Sequence, residues 1–478
     1  MFKRLSLLLL VGSSSLIACT DKFEELNTDP NRIEKISPGT LLNPIIYSLA
    51  SFNTLRSADF TFPIMQVALP FPSGSGGIQR YDVTETEGNS TWDTYYRWLG
   101  NIKEMRAAAV AANDPNYEAI ALTLNAWIYS QLTDCFGDVP MDEASRGEEG
   151  IFAPAFNTQP EIYAKILADL ERANDLFNPA KPLNYGTDLL YGNSIAGWQR
   201  FCNSLHLRLL LRVSKRPEIG APTLLAAIIN NPTKYPVFTQ NSDAAILKIT
   251  GVAPNLSPYG RAIDFTSNRA AAQYFIDNLN TLADPRLPKF ATQARSSNGT
   301  TLIGHRGIPS AYTGSDAQFM YQPSNLSIAL VTAPTVSVIM TYAEVEFIKA
   351  EAALKGYTTG DAKAAYDKGV RAAIEQWGGV LSATYLQAPS AGAYDGTLAR
   401  IMLQKYYALF FNDYQQWFEY RRTGLPVLPK GPGLLNNGVM PVRFRYPTSV
   451  QISNSANYQK AVTAMGGDNI NTKVWWEK

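Results

Sequence analysis

The sequence predicts a mainly α-helical fold: a scaffold with tetratricopeptide-like helix hairpins, long irregular loops and short strand pairs. Three observations carry that expectation. Apolar residues recur at helical spacing over several long stretches. Two alanine-rich helical stretches flank a short turn, Gly356 to Gly360. Between the helical stretches lie long segments rich in Gly, Pro, Ser and aromatic residues with no clear period.

The chain opens MFKRLSLLLLVGSSSLIACTDKFEE. Lys3 and Arg4 form a basic start and Leu5 to Val11 an apolar core, followed by small residues. The run is too short to span a bilayer, and the layout is that of a secretory signal peptide. Leu16-Ile17-Ala18-Cys19 resembles the bacterial lipobox. That resemblance implies cleavage of residues 1–18, acylation of Cys19 and one mature domain, 19–478. Thr20 stands where an aspartate commonly retains lipoproteins at the inner membrane. Asp21, Glu24 and Glu25 resemble the acidic surface-export signal of Bacteroidetes lipoproteins.

The helices follow in order. Tyr117–Thr133 is helical, with Asp114-Pro115 as its start. Gln159–Phe177 has Pro160 in its first turn and one stripe through Ile162, Ile166, Leu170 and Ala173. Ile195–Ser214 packs Leu205, Leu209 and Val213 on one face and repeats Arg208 and Arg212 on another. Val336–Lys355 ends at Gly356, and Asp361 caps a partner helix that stops at Gly378-Gly379. Leu398–Arg422 reads as one long helix stopped by Gly424. Segments 60–93, 290–335, 380–396 and 425–450 read as irregular loops.

Composition excludes several functions. The formal net charge is +1, and losing Lys3 and Arg4 with the signal peptide keeps the chain near neutrality, so nucleic acid is not a partner. Cys135 and Cys202 fall in apolar helical stretches and read as buried free thiols. His206 reads as a packing residue. There is no HExxH, CxxC, GxSxG or phosphate-loop pattern, so neither cofactor nor metal is expected. Asp134 and Asp138 are too few carboxylates for calcium.

Several segments are similar to the SusD/RagB family of nutrient-binding outer-membrane lipoproteins, in its SusD-like branch. ELNTDPN (25–31) resembles the stretch after the anchor, and LTDCFGDVPMDEA (132–144) the family's turn. WQRFCNSLHLRLLLRVSK (198–215), YAEVEFIKAEAALKG, WFEYRRTGLPVL (417–428) and PVRFRYPTSVQISNSANYQKAV follow in family order. His206 departs from the usual basic residue and Val450-Gln451 from the usual glutamate. The motifs also have a physical reading. Gly137 ends a helix, and Asn203, Arg208 and Arg212 are partly buried polar groups that need loop carbonyls or carboxylates.

The resemblance implies a cell-surface, outer-membrane lipoprotein, held by its lipid anchor. It would bind an oligosaccharide or peptide and pass it to a SusC-like TonB-dependent transporter. Aromatic residues make up 11% of the chain, and loop aromatics suit ligand stacking. The candidates are Phe71, Tyr81, Trp92, Tyr259, Tyr312, Phe319 and Tyr321; Trp92 also fits a core position at a helix start. Two alternatives stand beside this reading: a glycoside hydrolase using loop acids such as Glu85 and Glu87, and a structural tetratricopeptide-like adaptor.

The anchor is directly testable. Cys19→Ala should move the protein from the membrane fraction to the soluble one, because stable anchoring needs more than one acyl chain. A variant still sedimenting with membranes, with no lipid mass on the wild type, would refute acylation.

Overall fold

The computed structural model describes residues 37–478. The signal-peptide segment, Cys19 and the Glu25–Asn31 motif lie outside them. The longer helices are α1 (Pro38–Arg56), α2 (Asn89–Ala111), α3 (Pro115–Phe136), α4 (Gln159–Leu176), α5 (Ile195–Arg212) and α6 (Ala221–Asn230). They continue with α7 (Gln273–Thr281), α8 (Tyr342–Leu354), α9 (Ala362–Gln376), α10 (Leu398–Ala408), α11 (Gln415–Thr423) and α12 (Ser455–Met465). The strands are β1 (Ala68–Pro70), β2 (Val139–Pro140), β3 (Phe156–Asn157), β4 (Ala245–Ile249), β5 (Arg269–Ala271), β6 (Arg295–Ser296), β7 (Tyr321–Gln322) and β8 (Thr335–Met340). They pair antiparallel as β1–β5, β2–β3, β4–β8 and β6–β7.

Caps set the helix starts. The Asp114 carboxylate accepts from the backbone N–H groups of Asn116 and Tyr117. Thr158 and Glu161 form a reciprocal capping box at α4. Asp361 accepts from Lys363 and Ala364 at α9. The stops are glycines: Gly356 (φ 71°) and Gly424 (φ 74°) lie in the left-handed region, where a side chain would be strained.

Helix pairs build the core. α8 packs on α9 across the Gly356–Gly360 turn, and α3 packs on both α2 and α4, with α5 beneath α4. Gly369 of α9 lies so close to Phe347 of α8 that a Cβ there would stand 3.1 Å from the ring. Small residues therefore set the interhelical spacing.

Three expectations need correction. Val336–Met340 belongs to strand β8, not to a helix. The run Thr335-Val336-Ser337-Val338-Ile339 is largely β-branched and pairs with β4, and α8 begins where the Thr341 hydroxyl caps Glu344 N–H. The stretch Leu398–Arg422 is two helices. Phe411 (φ 62°) and Asp413 (φ 36°) reverse the chain between α10 and α11, and buried Asp413 accepts from the side-chain amides of Gln131 and Gln415. Residues 60–69 are not loop. After a π-helical turn, Ser57–Thr61, this segment is buried throughout, with the Phe60 ring edge-on to Trp417 and Phe444. Burial on all sides removes the periodicity that would reveal structure.

A chain of buried charges crosses the helices. The Arg422 guanidinium binds both Glu351 oxygens at 2.6 Å and Glu419 at 2.7 Å. Lys405 donates to Glu419 at 2.8 Å, and Arg212 stands 3.6 Å from Glu419 and 3.5 Å from Asp134. Arg208 forks onto Glu344 at 2.7 and 2.6 Å. Burial alone would raise the Glu351 carboxyl, but Arg422 with Lys405 and Lys355 holds it down at about 2. His206 is buried and stays neutral, its pKa lowered by desolvation to about 4.

Both groups have folded pKa values below their ordinary ones, so each adds stability at high pH that acid removes. Stability should fall as pH drops from about 6.5 to about 4, when an unfolded histidine would protonate. It should fall again from about 4.5 towards about 2, when glutamates protonate. Denaturant melts across pH, with Glu351→Gln flattening the lower limb, check this. Ala352, fully buried in α8, provides a packing test. Ala352→Asp should cost about 2–5 kcal/mol in urea unfolding. An unchanged midpoint would mean that the α8 face is misassigned.

Candidate functional site

Strand β1 runs antiparallel to β5 and is followed by Phe71, whose N–H donates to the Asn268 carbonyl at 2.9 Å. The exposed Ser73–Ser75 tip comes next. Ala272 bridges Ile308, which brings the segment before Tyr312 alongside, and β7 pairs Tyr321 with Ser296. Two distant stretches of chain thus meet through backbone hydrogen bonds.

Four of the loop aromatics converge there. The Phe319 ring lies 4.9 Å from Tyr312, edge-on at 88°, 6.0 Å from Tyr321 and 6.3 Å from Phe71. Phe71, Phe319 and Tyr321 are half-buried, so each ring keeps an accessible surface, and Met320 beside them is exposed. The Tyr321 hydroxyl donates to the Gly307 carbonyl at 2.8 Å, and the Arg306 guanidinium stands 5.9 Å from its ring. The Tyr312 hydroxyl donates to Asp316, which also accepts from Ser73 N–H. Burial, with Asp316 adjacent, pushes the Tyr312 phenol up to about 12, so it remains a neutral donor. The result is an uncharged aromatic surface with hydrogen-bonding groups at its rim, suited to stacking and polar recognition together.

The other candidates lie elsewhere. Tyr81 is a core residue, 2% exposed. The chain reverses there in the left-handed region (φ 64°) and turns the ring inward, and burial raises its hydroxyl pKa. Trp92 sits in the first turn of α2, packed on Phe136 and Tyr446. With Tyr96, Phe152 and Pro154 it walls a separate pocket of about 210 Å³. Tyr259 stands edge-on to Phe265 at 5.3 Å, in contact with none of the four rings. Arg306, Asp316, Ser73 and Met320 were not singled out from sequence. Nothing in their spacing joins them, since the β1–β5 pair and the Ala272–Ile308 bridge create the neighbourhood.

The acids suggested for hydrolysis are held separately. Glu87 pairs with Arg56 at 2.5 Å and Glu85 pairs with Arg445. A larger cavity of about 460 Å³ between α2, α3 and α4 is lined by charges, in which Arg146 pairs with Glu149 and Lys165 with Asp142. Asp134 accepts from Tyr163 and Trp476, so it is a structural acceptor. Cys135 and Cys202 are buried and unpaired with one another. Among the described residues no cluster of His, Cys, Asp or Glu could hold a metal, and no helix is long and apolar enough to cross a membrane.

A rigid helical body presenting neutral rings on loops defines a class: a ligand-binding protein rather than a catalyst. The particular family follows from sequence. Residues 30–447 match the SusD-like family described as "starch-binding associating with outer membrane", and the chain belongs to it. Members of this family are binding proteins, not enzymes. Similar solved structures include a SusD homologue from Bacteroides fragilis NCTC 9343, 25% identical. It covers 93% of this chain and 100% of its own, with a TM-score of 0.80. A chitin-binding protein is 25% identical over 92% of this chain and 99% of its own, with a TM-score of 0.78. A chitin-binding SusD homologue from Flavobacterium johnsoniae shares the fold at 21% identity, covering 92% and 98%, with a TM-score of 0.80. No curated protein matches.

Core and patch aromatics should separate in unfolding experiments. Tyr81→Ala should cost about 3–5 kcal/mol, as for other large buried aromatics. Tyr321→Ala, which removes a half-exposed ring, should cost clearly less. Equal losses would contradict the division.

Proposed function

We propose that this protein captures an oligosaccharide on the patch formed by Phe71, Tyr312, Phe319 and Tyr321 and passes it to a TonB-dependent outer-membrane transporter. The observation that carries the reading is the convergence of four rings from separate loops, three of them with exposed faces. Pyranose faces stack on such rings, while hydroxyls bond rim groups such as Asp316 and Arg306. The description of the family and the names of two chitin-binding structural relatives support a glycan over a peptide. Acylated Cys19 would hold the protein at the outer membrane, facing outward.

A glycan and peptide array on the mature chain, with chitin oligosaccharides included, tests the ligand. Phe319→Ala should weaken binding about three- to tenfold, the worth of one stacking contact. The double variant Phe319→Ala, Tyr321→Ala should abolish measurable binding, and the fold should persist by circular dichroism. Undiminished affinity in the double variant would remove the patch from the site, and turnover of the bound glycan would revive the hydrolase. Affinity purification from membranes should recover a TonB-dependent transporter, and its consistent absence would count against the transfer step.

A further inference from the structure

We infer that Arg80 is the positioning residue of this patch: one buried guanidinium clamps the three loops on which the arrangement of the rings depends. The inference rests on the reading of the patch as a ligand site. Arg80 is 7% exposed, and its donors go to neutral oxygens rather than to a carboxylate. Nε donates to the Gly74 carbonyl at 2.8 Å, and Nη1 to the Gly433 carbonyl at 3.0 Å. Nη2 donates to the Tyr312 carbonyl at 2.8 Å and to Ser73 Oγ at 3.2 Å.

A buried cation without a counter-charge is costly unless hydrogen bonds replace its hydration. Here the replacement comes from three chain segments far apart in sequence, and the planar fork fixes their carbonyls relative to one another. Those segments hold the patch. Ser73-Gly74 follows Phe71, and Tyr312 carries a ring itself. Gly433 braces them from below, its N–H donating to the Ala311 carbonyl at 2.7 Å. Two further bonds lock the turn around Arg80: Leu435 N–H donates to the Arg80 carbonyl at 2.8 Å, and Ser310 Oγ to the Gln79 carbonyl at 3.2 Å. The Gly431-Pro432-Gly433 sequence fits this crossing. A Cβ on Gly433 would stand 1.9 Å from Arg80 Nη1, and one on Gly431 would stand 2.0 Å from the Ser310 carbonyl oxygen.

The test compares Arg80→Met, Arg80→Lys and Gly433→Ala by hydrogen exchange and by the glycan and peptide array. Arg80→Met and Gly433→Ala should raise exchange at least tenfold in segments 72–77, 311–321 and 431–435 together, with α8 and α9 unchanged. Both should lose at least tenfold in affinity for whatever the wild type retains, although neither removes a ring. Arg80→Lys should not rescue, because an ammonium lacks the planar fork. Phe319→Ala should lose affinity with no change in exchange, which separates positioning from contact. Faster exchange confined to 72–77, or wild-type behaviour of Arg80→Lys, would overturn the clamp. If Arg80→Met does not fold, Gly433→Ala carries the same comparison. A wild type that retains no glycan or peptide overturns the patch as a ligand site and, with it, the role of Arg80 in binding; the exchange data then report a structural clamp alone.

Discussion

The structure depends on one buried fork, Arg422 between Glu351 and Glu419. Glu351 belongs to α8, while Arg422 and Glu419 belong to α11, and Lys405 reaches Glu419 from α10. Arg212 extends the contact to α5 and, through Asp134, to α3. Removing one partner from such a network strands a charge in the interior, which typically costs several kcal/mol. The network therefore specifies which helices are neighbours more sharply than apolar packing can. It also explains why a helical stretch must break at 409–414. A straight helix from Leu398 would carry Glu419 and Arg422 away from Lys405 and Glu351.

The binding face inherits its order from this scaffold by a different route. Its rings stand on irregular backbone, tied to β1 and β5 by ladder bonds and to one another by carbonyls that share a single guanidinium. Irregular loops tolerate variation in sequence, and a rigid frame beneath them allows recognition to be rebuilt without refolding. The helix-hairpin half and the ring-bearing loops are thus stabilised by different chemistry, buried ion pairs in one and backbone acceptors in the other.

Much of the frame was legible in the sequence because caps are local. Asp114-Pro115, Thr158 with Glu161, Asp361, Gly356 and Gly424 each act within a few residues, and each does what its spacing suggests. The misread stretches obey non-local rules. Val336–Met340 is apolar in either conformation, and only its pairing with β4 makes it a strand. The reversal at Phe411–Asp413 hides in an aromatic run, because its αL residues are not glycines and are held by Gln131 and Gln415 from other helices or turns. The site divides in the same way. Phe71, Tyr312, Phe319 and Tyr321 could be proposed as loop aromatics, but their meeting could not. Tyr81 looks the same in sequence and points inward because of one backbone angle. Arg80 looked like any surface arginine until three carbonyls were found around it.

The neutrality of the rings has a consequence for working conditions. Ion-pair recognition weakens as salt shortens the Debye length, to about 10 Å at 0.1 M and about 3 Å at 1 M. Stacking on Phe71, Phe319 and Tyr321 has no such dependence, and the Tyr312 phenol keeps its proton up to about 12. A protein that faces the external medium cannot regulate its salinity or its acidity near neutrality. A recognition surface built from ring faces keeps its grip through a shift from brackish to fresh surroundings, while the charges that would respond to the change are locked in the interior.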